Sequence, residues 1–306
     1  MWLIILLYAL FASSFSITKV LLNYSSPLFL AGMRMSIAGL ILLSYQYFYA
    51  HKHFHFKWKH MKYYVQLVIF GIYLTYILRF WALDYMPSAK VCFLYNFSPF
   101  LSAFYSYIFF KEKMTKKQWT GLFIGFLGFL PILYTSSPGE QLTGEWGIFS
   151  WPELAVLVSV ASHSYSWIVM RRLIRDKSYS PVMVNGISMS SGGILALITS
   201  FFVEGFFPVS QVGPFFGWLL FIIFLSNIIC HNLYGYLLKS YTTTFLSFAG
   251  FLSPIFAAFY GYMFLNEKIG WPFYLSTGIV FIGLFLFYQD ELTPKTEFIS
   301  PTSSIE

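Results

Sequence analysis

Apolar residues in this chain come in continuous runs of about 20, separated by short polar stretches, and do not alternate with polar ones. Ten runs stand out, at 2–22, 28–49, 62–83, 89–110, 117–135, 152–171, 181–203, 215–238, 243–265 and 271–289. Wound as an α-helix, a run of that length crosses the roughly 30 Å hydrocarbon core of a bilayer. No water reaches the backbone there, so a spanning segment must satisfy its own hydrogen bonds. A β-barrel would show alternating segments of about ten residues, and these runs are unbroken. The pattern predicts an all-α polytopic membrane protein of ten transmembrane helices.

Composition agrees. Hydrophobic residues make up 58% of the 306 and charged residues 10%, with a mean hydropathy of +0.66; a soluble domain carries about 25% charge. Ten spans leave no room for a soluble catalytic domain. The sequence contains no nucleophile elbow, HExxH or P-loop, which argues against the rival class, a membrane-embedded enzyme. Cys92 and Cys230 sit inside apolar runs and read as small core residues. No basic stretch precedes the run 2–22, so it reads as a retained first helix and not a signal peptide. The Ser/Thr/Pro-bearing tail, 291–306, reads as a disordered cytoplasmic segment.

A net charge of +7 invites a nucleic-acid partner, but its distribution assigns it elsewhere. Lys52, Lys57, Lys59 and Lys62 follow the second run. Lys111, Lys113, Lys116 and Lys117 follow the fourth, and Arg171, Arg172, Arg175 and Lys177 the sixth. The intervening loops hold Glu140, Glu145 and Glu204 and few cations. This is the positive-inside pattern; it places both termini in the cytoplasm and makes the bilayer, not nucleic acid, the partner of the basic loops.

The chain also repeats itself. SPFLSAFYSYIFFKEK (98–113) and SPIFAAFYGYMFLNEK (253–268) agree at nine of sixteen positions, 155 residues apart. SPLFLAGMRMSIAGLILL (26–43) returns as SPVMVNGISMSSGGILAL (180–197), 154 residues apart, with Gly32/Gly186, Met35/Met189, Ser36/Ser190 and Gly39/Gly193 among the matches. The expected organisation is a first five-helix repeat at 1–135, a periplasmic linker at 136–150 and a second repeat at 151–290. Five is odd, so the second repeat enters the membrane inverted. Inverted repeats place a substrate site near the midplane, at the interface between the halves.

The twice-written SP…FY.Y.F..EK pattern, the Gly-bearing helix after each copy (Gly121, Gly125, Gly128; Gly278, Gly283) and the upstream ALDYMPSAKVCFLYNFSP (82–99) resemble the EamA repeat of the drug/metabolite transporter superfamily. The resemblance covers nearly the whole chain. It implies a ten-helix carrier of the bacterial inner membrane, with helices 1, 3, 4, 6, 8 and 9 around a central cavity and helices 5 and 10 at the periphery. The stretch LLKSYTTTFLSF (237–248) departs from the pattern, lacking a counterpart of Pro87.

Polar residues inside apolar runs are the candidate site, because they cost free energy in lipid and so tend to face cavities. Arg79 follows Tyr76 by three residues and precedes Asp84 by five; it either pairs with Asp84 or meets a substrate. Arg34, whose counterpart is Ser188, reads as a packing or topology residue. His163 and Trp167 are spaced i, i+4, as are Asn227 and His231, with Tyr234 three further on. Tyr95 and Asn96 precede Pro99, and Ser247 and Phe251 precede Pro254; each proline permits a kink or gate at cavity level. His51, His53 and His55 alternate but have no Cys, Asp or Glu beside them, so a basic loop on lipid headgroups is the plainer reading, and no metal or cofactor is expected. Aromatic residues reach 23%. Trp2 and Trp271 read as interfacial belts, and inward-facing rings would suit flat rings and soft cations.

No Asp or Glu lies mid-span, which favours an exchanger or facilitator over a proton-driven pump. Rings for a heterocycle and a sulfonium, and Arg79 for a carboxylate, together suit one metabolite: S-adenosylmethionine, exchanged for its demethylated product. EamA-type carriers resembling this chain include S-adenosylmethionine transporters of obligate intracellular bacteria. An amino-acid or drug exporter of the same fold is the alternative, and so is an unspecific amphiphile pocket. Oligomeric state is left open.

Overall fold

The computed structural model describes residues 2–49, 57–110, 115–133, 138–147, 149–239, 241, 246, 249–268 and 270–292. The histidine-bearing loop 51–56, Glu112, Ser247 and the tail beyond 292 lie outside them. In chain order the apolar runs form helices α1 (Trp2–Leu22), α2 (Pro27–Tyr49), α3 (Trp58–Tyr85), α4 (88–110), α5 (Lys116–Leu127), α6 (Trp151–Asp176), α7 (Pro181–Val203), α8 (Val212–Leu237), α9 (250–265) and α10 (Trp271–Leu292). Six of these, α1–α3 and α6–α8, are long and apolar enough to cross a membrane as single helices. A short helix (Pro138–Thr143) and a two-residue hairpin, β1 (Glu145–Trp146) with β2 (Phe149–Ser150), lead into α6.

The apolar pattern misses local winding. Both α3 and α8 contain an eight-residue π-helical segment, Leu67–Leu74 and Ile223–Cys230. Both α4 and α9 contain one 3-10 turn, Tyr95–Phe97 and Gly250–Leu252, immediately before the Ser-Pro pairs 98–99 and 253–254. A proline lacks an N–H and clashes with the preceding turn, so the backbone tightens ahead of it. The irregular turns fall at matched positions of the two halves.

Those halves meet through small residues. α2 lies along α7, and α5 along α10. A Cβ placed on Gly39 would fall 2.7 Å from Ser190 Cα; one on Gly193 would meet Ser36, one on Gly32 would meet Leu197, and one on Gly186 would meet Leu43. One series rises while the other falls, so α2 and α7 are antiparallel. Each contact also has a mate with the two halves exchanged. Gly125 of α5 and Gly128 at its C-terminal cap meet Gly283 and Val280 of α10 in the same reciprocal way. Without glycine the backbones could not approach this closely.

At the end of the bundle that carries the linker, buried charges tie the elements together. The Glu267 carboxylate accepts from the Ser88 N–H (2.8 Å), the Ser88 hydroxyl (2.8 Å) and the Ala89 N–H (3.3 Å), capping the otherwise unpaired donors of α4. Lys19 sits 3.8 Å from the same carboxylate and donates to the Met86 carbonyl. Lys90 is buried between Glu140 (2.6 Å) and Glu153 (2.7 Å). Glu153 also closes a capping box with Ser150 at the start of α6. The glutamate of the repeated Glu-Lys pair therefore has a structural task at its second occurrence, one that sequence spacing did not reveal.

Two consequences are testable. Gly39→Leu or Gly193→Leu should abolish the monodisperse peak in fluorescence-detected size exclusion, because the obstruction is backbone. Gly217→Leu, with nothing near its Cβ, should elute normally. Lys90→Met should destabilise by about 3–5 kcal/mol by stranding two buried carboxylates; adding Glu140→Gln and Glu153→Gln should restore most of the lost unfolding temperature.

Candidate functional site

One cavity opens between α1, α3, α4, α6, α8 and α9, the six helices the family resemblance names. It holds about 730 Å3 of atom-free space, counting its mouth. The centre of a water-sized sphere sweeps only about 100 Å3 of it, so a nucleoside-sized guest must part the side chains. The lining brings together Tyr76, Arg79, Tyr95, Asn96, His163, Trp167, His231 and Tyr234. Many wall positions are matched across the halves at a spacing of 155: Tyr76 with His231, Arg79 with Tyr234, Tyr8 with His163, Tyr95 with Gly250 and Ser98 with Ser253. The backbone positions are shared, and at all but the Ser98–Ser253 pair the chemistry differs, so the lining is asymmetric.

Arg79 makes part of the wall cationic. The Arg79 side chain is buried, with its guanidinium carbon 4.3 Å from the Tyr76 ring centre and 5.3–5.5 Å from those of Phe80, Phe15 and Tyr95. No carboxylate lies within ion-pair distance of it among the described residues, Asp84 included. The rings supply cation–π attraction but no neutralising charge. Asn96, also buried, lines the same region. Among the described residues the lining contains no Asp or Glu.

More rings line the wall around the two histidines. Trp167 and Tyr234 pack with ring centres 3.9 Å apart and planes tilted by 34°, and Phe11 packs edge-on to His231 at 5.3 Å. Hydrogen bonds set the tautomers of both histidines. His231 Nδ1 lies 2.7 Å from the Ser226 carbonyl, which can only accept, so Nδ1 carries the proton and Nε2 accepts from the Tyr76 hydroxyl at 2.8 Å. Trp167 Nε1 donates to His163 Nε2 at 2.8 Å, which puts that proton on Nδ1, a buried atom without a hydrogen-bond partner.

Asn227 is elsewhere. Its Oδ1 accepts from Arg34 Nε at 2.8 Å, on the far side of α8 from the cavity. Residues 223–230 are π-helical. In that winding the fifth residue back, Ser226, comes beneath His231, and Ser226 is the one that lines the cavity. Ser247 and the Phe251 side chain lie outside the described residues. Pro99 and Pro254 are buried immediately after the 3-10 turns. The resemblance placed helix 1 at the cavity, but no residue of it was singled out; α1 contributes Tyr8, Phe11, Ser14 and Phe15. The i, i+3, i+7 spacing of its rings was the available signal.

The EamA-like transporter family matches residues 1–134 and again 150–289. The chain belongs to that family. It is a multi-pass membrane transporter with a small-molecule substrate. A Chlamydia muridarum protein named S-adenosylmethionine/S-adenosylhomocysteine transporter is 35% identical over 92% of this chain and 89% of its own length. A protein of the same name from Chlamydia trachomatis serovar L2 is 34% identical over 92% and 86%. A solved crystal structure shares the fold over 93% of both chains, with a TM-score of 0.65 at 16% identity.

The placement of Asn227 can be checked by thiol labelling of this EamA carrier. With Cys92 and Cys230 replaced by Ala, Ser253→Cys should react with a small methanethiosulfonate and Asn227→Cys should not.

Proposed function

We propose that this transporter exchanges S-adenosylmethionine for S-adenosylhomocysteine across the bacterial inner membrane by alternating access. The observation that carries the reading is Arg79, a buried guanidinium with no carboxylate partner among the described residues, lining one cavity together with the Trp167–Tyr234 ring pair. A charge-assisted bond from Arg79 would hold the amino-acid carboxylate. Trp167 and Tyr234 would take the adenine, and ring faces would take the sulfonium. The two Chlamydia relatives support the same substrate pair. An exchange of two near-identical guests needs no titrating carboxylate in the cavity, and none lines it among the described residues.

The architecture that goes with this reading is ten helices in two inverted repeats, 1–135 and 151–290, with 136–150 as a periplasmic linker and both termini cytoplasmic. The reciprocal antiparallel contacts of α2 with α7 and of α5 with α10 support the inversion. Pro99 and Pro254 would then be paired hinge points. The carboxylate anchor alone would also suit an amino-acid exporter; the ring pair favours a guest with a heterocycle.

Proteoliposomes loaded with S-adenosylhomocysteine should take up radiolabelled S-adenosylmethionine, and empty ones should not. Arg79→Gln should weaken apparent affinity about 10- to 100-fold, and Trp167→Ala about 10-fold. Background uptake in loaded vesicles would sink the substrate; full uptake in both variants would keep the substrate and discard these contacts. Single cysteines in loops 52–60 and 138–146 should label from opposite sides of the membrane, and labelling from one side would remove the inverted arrangement.

A further inference from the structure

Arg34 lies behind the cavity wall. Its side chain is only 1% exposed, deeper than Arg79. Nε donates to Asn227 Oδ1 at 2.8 Å and Nη1 to Thr18 Oγ1 at 3.2 Å, while Nη2 has no hydrogen-bond partner. Both partners are neutral, and no carboxylate lies within ion-pair distance among the described residues. The charge is held in place without being cancelled.

Its position couples it to the cavity. The guanidinium carbon is 5.6 Å from the ring centres of both Tyr76 and Phe80. Arg79 faces the same two rings at 4.3 and 5.3 Å. The two guanidiniums are therefore within about 10 Å of each other, and the Tyr76 ring that Arg34 faces is itself part of the cavity wall. Charges at that separation interact strongly where water is excluded. The pattern of the two halves does not require an arginine here, because the matched position on α7 is Ser188.

We propose that Arg34 is a specificity-determining residue that sets the charge preference of the cavity. It adds attraction for a guest's carboxylate and penalises each further positive charge. This rests on the substrate pair proposed above. Both nucleosides carry an amino group and a carboxylate, and S-adenosylmethionine adds a sulfonium. Arg34 therefore weights binding toward the net-neutral thioether and against the net-cationic sulfonium. In an exchanger this asymmetry would bear on which guest is released more readily.

Equilibrium affinities of the purified full-length protein for each nucleoside, measured separately, test the proposal through their ratio. Arg34→Gln removes the cation, and Asn227→Asp leaves it in place and sets a carboxylate against it. Both should shift the ratio roughly three- to tenfold toward the sulfonium, and Arg34→Lys should leave it near the wild-type value. A merely structural Arg34 would weaken both ligands alike, so a ratio within twofold of wild type in Arg34→Gln and Asn227→Asp overturns the proposal. Should Arg34→Gln fail to fold, Asn227→Asp decides alone, since the arginine remains. A wild type that binds neither nucleoside refutes the substrate reading and this inference together; a wild type that binds both, with an unmoved ratio, refutes only the charge filter.

Discussion

The close approach of α2 to α7 is the contact on which the rest of the structure depends. Gly39 lies against Ser190 and Gly193 against Ser36, with backbone meeting backbone. In lipid, apolar surface gains little by leaving one apolar neighbour for another, so helices associate through close van der Waals contact instead. Small residues at four reciprocal positions supply that contact. They align the two halves so that positions about 155 apart in sequence arrive on facing walls of one cavity.

Matched positions would give a symmetric cavity if their side chains matched, and they do not. Arg79 faces the space from one half, and Tyr234 occupies the corresponding place in the other. Tyr76 and His231, matched by position, are joined by a hydrogen bond. The result is an asymmetric wall, with a guanidinium from one half and a close Trp167–Tyr234 pair from the other. Such a wall can orient a guest that is charged at one end and flat at the other.

The irregular turns serve the same place. Backbone groups freed from regular winding are tolerated at membrane depth only where something else satisfies them. In α3 the Thr75 hydroxyl takes the Phe70 carbonyl at 2.5 Å, and in α8 His231 takes the Ser226 carbonyl, each five residues back. Charged side chains are divided by the same economy. Lys19, Lys90, Glu140, Glu153 and Glu267 neutralise one another near the linker, while among the described residues Arg34 and Arg79 have no carboxylate at ion-pair distance.

The sequence by itself determined what lipid and repetition impose: where the apolar helices lie, that the chain is written twice, and that Tyr76, Arg79, His163, Trp167, His231 and Tyr234 are costly or distinctive enough to need a reason. A polar group in an apolar run carries its own signal, because hydrocarbon offers it no partner. Tertiary structure decided which of those groups face the same space. Asn227 had the right spacing, but it bonds Arg34 on α2, and Ser226 of the same π-helical segment lines the cavity. Phe11 and Phe15 looked like ordinary apolar residues of α1, and only packing against His231 and Tyr95 makes them wall. Arg34 read as packing, since its partners Asn227, Thr18 and Tyr76 lie on three other helices. Spacing along a helix records neighbours on that helix, and an electrostatic environment is assembled by the helices around it.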